Sequence, residues 1–93
     1  MAEKARARAV IAGKVQGVFF RMETKRAAER HDVSGRVRNQ ADGTVEAVFE
    51  GEREGVLAMI EWCKKGPPLS KVTHVDVTWE TYSGEFKDFV ITF

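Results

Sequence analysis

The chain of 93 residues contains one cysteine and two histidines, and these small numbers exclude several kinds of site. A single cysteine, Cys63, cannot form an intramolecular disulfide or a cysteine-based metal cluster, which agrees with a reducing compartment. His31 and His74 lie far apart in the sequence and have no carboxylate or cysteine at metal-ligand spacing. We therefore expect no metal and no cofactor, and we interpret these three residues as structural or solvent-facing.

The chain also lacks a strong net charge and a long apolar segment. Fifteen Lys and Arg against fourteen Asp and Glu leave a net charge of +1, which favours neither nucleic acid nor membrane as a partner. No segment approaches the roughly 20 apolar residues of a membrane helix, and residues 9–12 are too short an apolar run for a signal peptide. We expect one soluble domain over residues 1–93, monomeric and cytoplasmic, with any anion bound locally.

The periodicity of the apolar residues predicts an alternation of strands and helices. Alternating residues predict strands over 5–13, 35–40, 44–50, 72–81 and 86–93, and spacings of three and four predict helices over 21–31 and 52–65. The order β-α-β-β-α-β with an additional C-terminal strand is typical of a ferredoxin-like α/β sandwich in the α+β class. Two helices would then cover one face of a mixed, mainly antiparallel sheet.

The same periodicity predicts which side chains face the core. In the third strand, Glu46 and Glu50 alternate with the apolar residues, which predicts a sheet with one solvent-exposed face. Asp42-Gly43 predicts a tight hairpin turn with positive φ at both positions. The predicted core-facing residues of the first helix, the third strand and the second helix are Thr24, Ala27, Ala28 and His31; Val45, Ala47 and Phe49; and Val56, Leu57, Met59, Ile60 and Cys63.

The loop between the first strand and the first helix, GKVQGVFFR at 13–21, is a candidate anion site. It ends at a helix N-terminus, where free amide N–H groups and the helix dipole favour negative charge. Arg21 places a cation in the first helical turn, which opposes the dipole unless an anion binds there. From spacing alone, an ordinary tight connection with a solvated arginine is the competing interpretation, because glycine loops are common.

The loop differs from the known nucleotide-binding motifs. Gly17 is followed by Val18, and no Ser or Thr is available for magnesium, so the Walker pattern is absent, as is a dinucleotide fingerprint. If an anion binds, we expect a phosphate group without nucleotide or metal. A second candidate is Asn39 before the hairpin, although by its chemistry alone Asn39 is more simply a turn-favouring residue.

These segments together resemble a known family. GKVQGVFFR at 13–21, GRVRN at 35–39 and DGTVE at 42–46 are similar to the signature of the acylphosphatases, and the resemblance continues through WCKKGPP at 62–68 and GEF at 84–86. It implies hydrolysis of the carboxyl–phosphate bond of a small-molecule acyl phosphate to a carboxylate and inorganic phosphate, without a covalent intermediate. It also implies that free phosphate or sulfate can occupy the site.

The resemblance assigns a role to each site residue. Arg21 would bind the phosphate and Asn39 would orient the attacking water, which makes them the catalytic pair. The phosphate-binding set implied by the resemblance is the backbone amides of Gln16, Gly17, Val18, Phe19 and Phe20, together with Arg21.

Two residues depart from the family pattern. Arg36 stands where an aromatic residue is usual, which is expected to remove a contact and to leave its strand less stable or more positively charged. Asp32 stands near the helix end where glycine is common, and aspartate tolerates the left-handed backbone better than most residues.

Three other functions compete with this one. A single-stranded RNA-binding module would need exposed aromatics on the central strands and a basic surface, and both are poor here. A small regulatory or metallochaperone domain is a further alternative, but no second cysteine supports metal delivery. An acylphosphatase-like domain within a larger enzyme that uses carbamoyl phosphate is a close variant, and the short chain favours a free-standing enzyme.

Overall fold

The computed structural model describes residues 3–93, and its elements follow the predicted order, which confirms the α+β class. Most of the bounds differ from the predicted ones by one or two residues, except for the last strand, which is shorter. The elements are β1 (Lys4–Lys14), α1 (Phe20–Arg30), β2 (Ser34–Asn39), β3 (Val45–Glu52), α2 (Arg53–Lys65), β4 (Lys71–Glu80) and β5 (Phe89–Ile91).

The strands form one mixed sheet in the order β4-β1-β3-β2-β5. β3 is antiparallel to both β1 and β2, and β5 is parallel to β2. Because β1 and β2 run in the same direction, their C-terminal ends lie at the same edge of the sheet. Ile11 and Asn39 both pair with Val45, so the loop that follows β1 emerges close to the end of β2.

The core lies between the two helices and one face of the sheet. Ala7 and Ala9 of β1, the strand on which α2 packs, and Ala27 and Ala28 of α1, which packs on β2 and β5, are fully buried, and their short side chains allow the helices to approach the sheet closely. The face predicted for α1 is confirmed except for His31, which lies exposed at the helix C-terminus. The buried stripe of α2 is confirmed as Val56, Met59, Ile60 and Cys63, whereas Leu57 is 41% exposed.

The prediction of a solvent-exposed opposite face is wrong at the middle of β3. Glu46 and Glu50 are 4% and 0% exposed, because arginines of β1 and β2 cover them together with residues 83–85. The two-residue periodicity of the sequence predicts correctly that these glutamates face away from the helices. It does not indicate which side chains lie over them.

The hairpin and the last strand also differ in detail from the predictions. Gly43 has φ of 92° and donates its amide to the Gln40 carbonyl, but Asp42 is not left-handed, so the turn is not the predicted two-residue type. β5 spans Phe89–Ile91 rather than 86–93. Phe93 therefore lies beyond the strand and is 97% exposed.

Candidate active site

The loop after β1 reaches the first helix through two left-handed residues. Gly17 has φ of 74°, and Phe19, at the helix N-cap, has φ of 64°. Glycine adopts this conformation without a steric penalty, but a phenylalanine does so at a cost. The result is a sharp turn that points the start of α1 toward the edge of the sheet where β1 and β2 end.

The amides of this turn have no acceptors within the described chain. No side chain caps α1, and the N–H groups from Gln16 to Phe20 form no hydrogen bond with any acceptor of residues 3–93. Unsatisfied N–H groups at a helix N-terminus, together with the dipole, form a favourable environment for an anion. The predicted amide set is therefore free to bind one.

Arg21 lies in the first turn of α1 and has no carboxylate partner among residues 3–93. Its guanidinium carbon lies 5.1 Å from the centre of the Phe93 ring, a cation–π contact. By contrast, Lys25 and Arg26 of the same helix pair with glutamates at 3.2 and 3.1 Å. The charge of Arg21 is thus available to a ligand, whereas the neighbouring charges are not.

Asn39 ends β2 and carries a polar atom without a partner. Its Oδ1 is buried and accepts no hydrogen bond from the described residues. An unpaired buried acceptor costs free energy, so such an atom requires an explanation, for which a bound water or ligand is the simplest. The neighbouring Arg38 points to the opposite face and bonds Glu46 at 2.9 Å, as the alternation predicts.

The two predicted catalytic residues share one cavity. The cavity has a volume of about 390 Å³. It includes Gly17, Phe19 and Phe20 of the predicted phosphate-binding set, but not Gln16, and not Val18, whose side chain is buried in the core. The lining residues are Val15, Gly17, Phe19, Phe20, Arg21, Met22, Asn39, Ile91 and Phe93.

The side chain of Gln16 joins the loop to the hairpin that carries Asn39. Its Nε2 donates to the carbonyl oxygens of Gln40 and Thr44, at 2.8 and 2.9 Å. The sequence singles out Gln16 for its backbone amide, and no local pattern reveals this second role. Only the fold brings residues 40 and 44 within reach of residue 16.

The departure at Arg36 is accommodated by an ion-pair network on the face of the sheet opposite the helices. Arg36 pairs with Glu46 at 3.2 Å, and Arg8 and Arg38 reach the same carboxylate at 2.8 and 2.9 Å. Burial alone would raise the pKa of Glu46, but the hydrogen bonds from Arg38, Arg8 and Arg36 outweigh it and lower the pKa to about 2. The positive charge added at Arg36 is therefore compensated within the sheet.

The cavity can bind and orient a small anion, but it supplies no acid or base. Its polar contributions are a guanidinium, free amides and one amide oxygen, and the lining residues from the described part of the chain include no carboxylate or imidazole. Within residues 3–93, no group of three or more His, Cys, Asp or Glu side chains is arranged to hold a metal ion. No helix in the described part of the chain has the length and apolar character needed to cross a bilayer.

Comparison with known proteins agrees with this geometry. The acylphosphatase family model matches residues 7–91. Acylphosphatases of Pyrobaculum arsenaticum and Pelotomaculum thermopropionicum are 58% and 52% identical over 90 residues, covering 96% and 97% of this chain and 95% and 98% of theirs. The solved acylphosphatase of Coxiella burnetii is similar in structure, with a TM-score of 0.91, 34% identity and coverage of 96% and 93%. The chain therefore belongs to the acylphosphatase family.

Proposed function

We propose that this protein hydrolyses the carboxyl–phosphate bond of acyl phosphates, giving a carboxylate and inorganic phosphate. The observation that carries the proposal is the shared cavity of Arg21, which lacks a carboxylate partner among residues 3–93, and the unpartnered Oδ1 of Asn39. Membership of the acylphosphatase family supports the same reaction.

In this mechanism the phosphoryl group is held by the loop and by Arg21. The amides of Gly17, Phe19 and Phe20, which line the cavity, donate to phosphate oxygens together with those of Gln16 and Val18 in the same turn. The guanidinium supplies paired N–H donors and a full positive charge. Charge on the equatorial oxygens is stabilised by donors that are already in place. Phosphoryl transfer depends mainly on such positioning and electrostatic stabilisation.

Asn39 has the complementary role of orienting water. Its buried Oδ1 accepts a hydrogen bond from a water molecule, whose oxygen then attacks phosphorus opposite the acyl oxygen. The new oxygen–phosphorus bond forms as the bond from phosphorus to the acyl oxygen breaks, and the electron pair leaves with the carboxylate. Among the described residues, no nucleophilic side chain lines the cavity, so we expect no covalent intermediate.

The leaving group explains why the site needs no general acid. A carboxylate leaves as the base of an acid with a pKa of roughly 4, so it needs no proton. The proton of the attacking water passes to a phosphate oxygen. A pH–rate profile that required one essential enzyme base near neutrality would contradict this step.

The test is phosphate release from benzoyl phosphate in the presence of a chelator. We expect the wild type to be active, and Arg21→Ala and Asn39→Ala each to lose roughly 10²- to 10³-fold in kcat, as when a positioned charge-stabilising donor is removed. Arg26→Ala, which removes an exposed, paired arginine of the same helix, is the matched control and should keep full activity. Full activity in either site variant would remove that residue from its role.

Direct binding provides a second test of the phosphate site. Crystals soaked in phosphate or sulfate should contain the anion between the amides 16–20 and Arg21. An anion bound elsewhere, with this loop empty, would contradict the assignment.

We further propose that residues 1–93 fold as one domain and act as a cytoplasmic monomer on a small-molecule acyl phosphate. Sedimentation at micromolar concentration should give the mass of one chain of 10.5 kDa. A stable larger species would contradict the monomer.

A further inference from the structure

We propose that four apolar residues beside the phosphate site bind the acyl group, and that the protein therefore prefers acyl phosphates with an aromatic or other large apolar acyl group. We call these residues the apolar wall. They are Phe19, Met22, Ile91 and Phe93, all of which line the cavity that contains Arg21 and Asn39. This inference rests on the proposed function and specifies its substrate class.

The apolar wall exposes more apolar surface than folding explains. Phe19 is 68% exposed, Met22 46% and Phe93 97%. Single exposed apolar residues are ordinary, but several around one cavity are typical of a binding site. A ligand that covered them would remove their apolar area from water.

The backbone of Phe19 supports the same conclusion. This residue is left-handed at φ of 64°, where Gly, Asn or Asp would adopt the turn at lower cost. A large side chain in such a conformation is unfavourable, and here its exposed ring gains little from packing in return. Strain of this kind is found mainly at ligand-binding and catalytic sites. A contact between the Phe19 ring and a substrate accounts for both features.

The position of the apolar wall relative to Arg21 fits the connectivity of an acyl phosphate. One bridging oxygen joins phosphorus to the acyl carbon, so an acyl group must lie directly beside the phosphate. The Phe93 ring already contacts the Arg21 guanidinium, with 5.1 Å from ring centre to guanidinium carbon, and the apolar wall therefore begins where the phosphate site ends. A volume of about 390 Å³ is in the range of pockets that hold whole small molecules.

The polar groups of the cavity leave little to recognise a polar acyl group. Arg21 is assigned to the phosphate and Asn39 to the water, and the other lining side chains are apolar or glycine. A charged or hydroxylated acyl chain would lose its hydration without gaining a partner. Charge binds the phosphate on one side, and apolar contact binds the acyl group on the other.

The kinetic test compares benzoyl phosphate with acetyl phosphate, which share the reacting bond and differ in the acyl group. In Phe93→Ala and Met22→Ser, we expect the ratio of kcat/KM for benzoyl phosphate to that for acetyl phosphate to fall roughly 10-fold, as for a lost contact in an apolar pocket. Met22→Ser is the cleaner variant, because Phe93 also contacts Arg21. Leu57→Ala, which removes an exposed apolar residue of α2 that does not line this cavity, should leave the ratio unchanged.

Calorimetric binding tests the apolar wall without turnover. Phenylphosphonate should bind the wild type roughly 10-fold more tightly than inorganic phosphate does. Met22→Ser should weaken the binding of phenylphosphonate and leave the binding of phosphate unchanged. Equal affinities in the wild type, or equal weakening of both ligands in the variant, would overturn the inference.

The outcomes separate the inference from the proposed function. If the wild type hydrolyses neither substrate, the proposed function fails, and the calorimetry still decides whether the apolar wall binds a phenyl group. If both substrates are hydrolysed and the ratio is the same in all variants, the inference alone fails. It also fails if the wild type sediments as a dimer that Phe93→Ala dissociates, because the wall would then bind a second copy of the chain.

Discussion

Glu46 carries a buried charge that is stabilised by three arginines, Arg8, Arg36 and Arg38. Its pKa is lowered to about 2 from an ordinary value of 4.5. A carboxyl whose pKa is lower in the folded state stabilises the fold fully above its unfolded pKa. That contribution declines as the pH falls from about 5 toward 2, because the unfolded chain takes up the proton first.

We therefore expect Glu46→Gln to lower the free energy of unfolding by about 2–3 kcal/mol at pH 7, after allowance for the solvent-exposed arginines. The difference from the wild type should shrink through pH 4 and vanish near pH 2. Urea unfolding of both proteins at several pH values measures it. A difference that stays constant with pH would show that the charge of Glu46 is not responsible.

Asp32 terminates α1 in the left-handed conformation, with φ of 55°. The Val33 amide bonds the Ala28 carbonyl at 2.9 Å, which closes the end of the helix around this residue. The departure from glycine at this position is thus tolerated with the expected backbone.

We expect Asp32→Gly to raise the free energy of unfolding by about 0.5–1 kcal/mol and Asp32→Val to lower it by about 1–2 kcal/mol, because glycine removes the penalty for positive φ and a β-branched residue increases it. Asp32→Asn, which also tolerates this backbone, is the neutral control. Thermal unfolding at pH 7 ranks the variants, and a valine variant as stable as the wild type would contradict the explanation.

At the scale of elements, the active site depends on the relation between one loop and one hairpin. Gln16 bonds the carbonyls of Gln40 and Thr44, and this contact fixes the loop relative to the end of β2, where Asn39 lies. We infer that the Gln16 side chain positions the loop and does not itself contact substrate.

Replacing Gln16 by Leu should therefore lower kcat/KM for benzoyl phosphate roughly 10-fold and weaken phosphate binding, since two carbonyls lose a donor and the loop amides move. Gln40→Ala is the matched control, because the Gln40 side chain bonds Thr44 within the hairpin at 2.9 Å and does not reach the loop. Equal losses in both variants would indicate general loosening of the hairpin. No loss in Gln16→Leu would exclude the positioning role.

The elements themselves were largely predictable. The periodicity of the apolar residues in β1, α1, β3 and α2 reflects the local backbone geometry of each element, and the order of the elements follows from it. Helical spacing predicts buried faces for His31 and Leu57, but the helix ends at Arg30 and the neighbouring elements do not cover Leu57. Alternation predicts too long a last strand, since it continues past the residues that pair with β2.

For the whole molecule, Glu50 connects distant parts of the chain. It pairs with Arg6 of β1 at 3.0 Å and accepts hydrogen bonds from the amides of Ser83 and Gly84 at 2.8 and 3.1 Å. Burial would raise its pKa, but the bonds from Ser83, Arg6 and Gly84 outweigh it, and the pKa is lowered. This carboxylate holds the segment after β4 against the face of the sheet opposite the helices.

We expect Glu50→Gln to lower the free energy of unfolding by about 2–4 kcal/mol, because an amide nitrogen would face N–H donors and Arg6 would lose a partner. Glu61→Gln, at an exposed pair with Lys64, should change it by less than about 0.5 kcal/mol. Unfolding in guanidinium chloride at pH 7 compares both variants with the wild type. Equal stability of the Glu50 variant and the wild type would contradict a structural role for this carboxylate.

The sequence by itself determined the order of elements, the candidate loop and its family, because these depend on residues that are adjacent or regularly spaced along the chain. Tertiary structure alone decided that Asn39 shares a cavity with Arg21 and has an oxygen without a partner among residues 3–93, that Gln16 bridges to the hairpin, and that arginines cover the face of the sheet opposite the helices. It also placed Met22, Ile91 and Phe93 around the same cavity. The reason is physical: these contacts join residues far apart in sequence, and their distances are set by sheet register and helix packing, which no local pattern encodes.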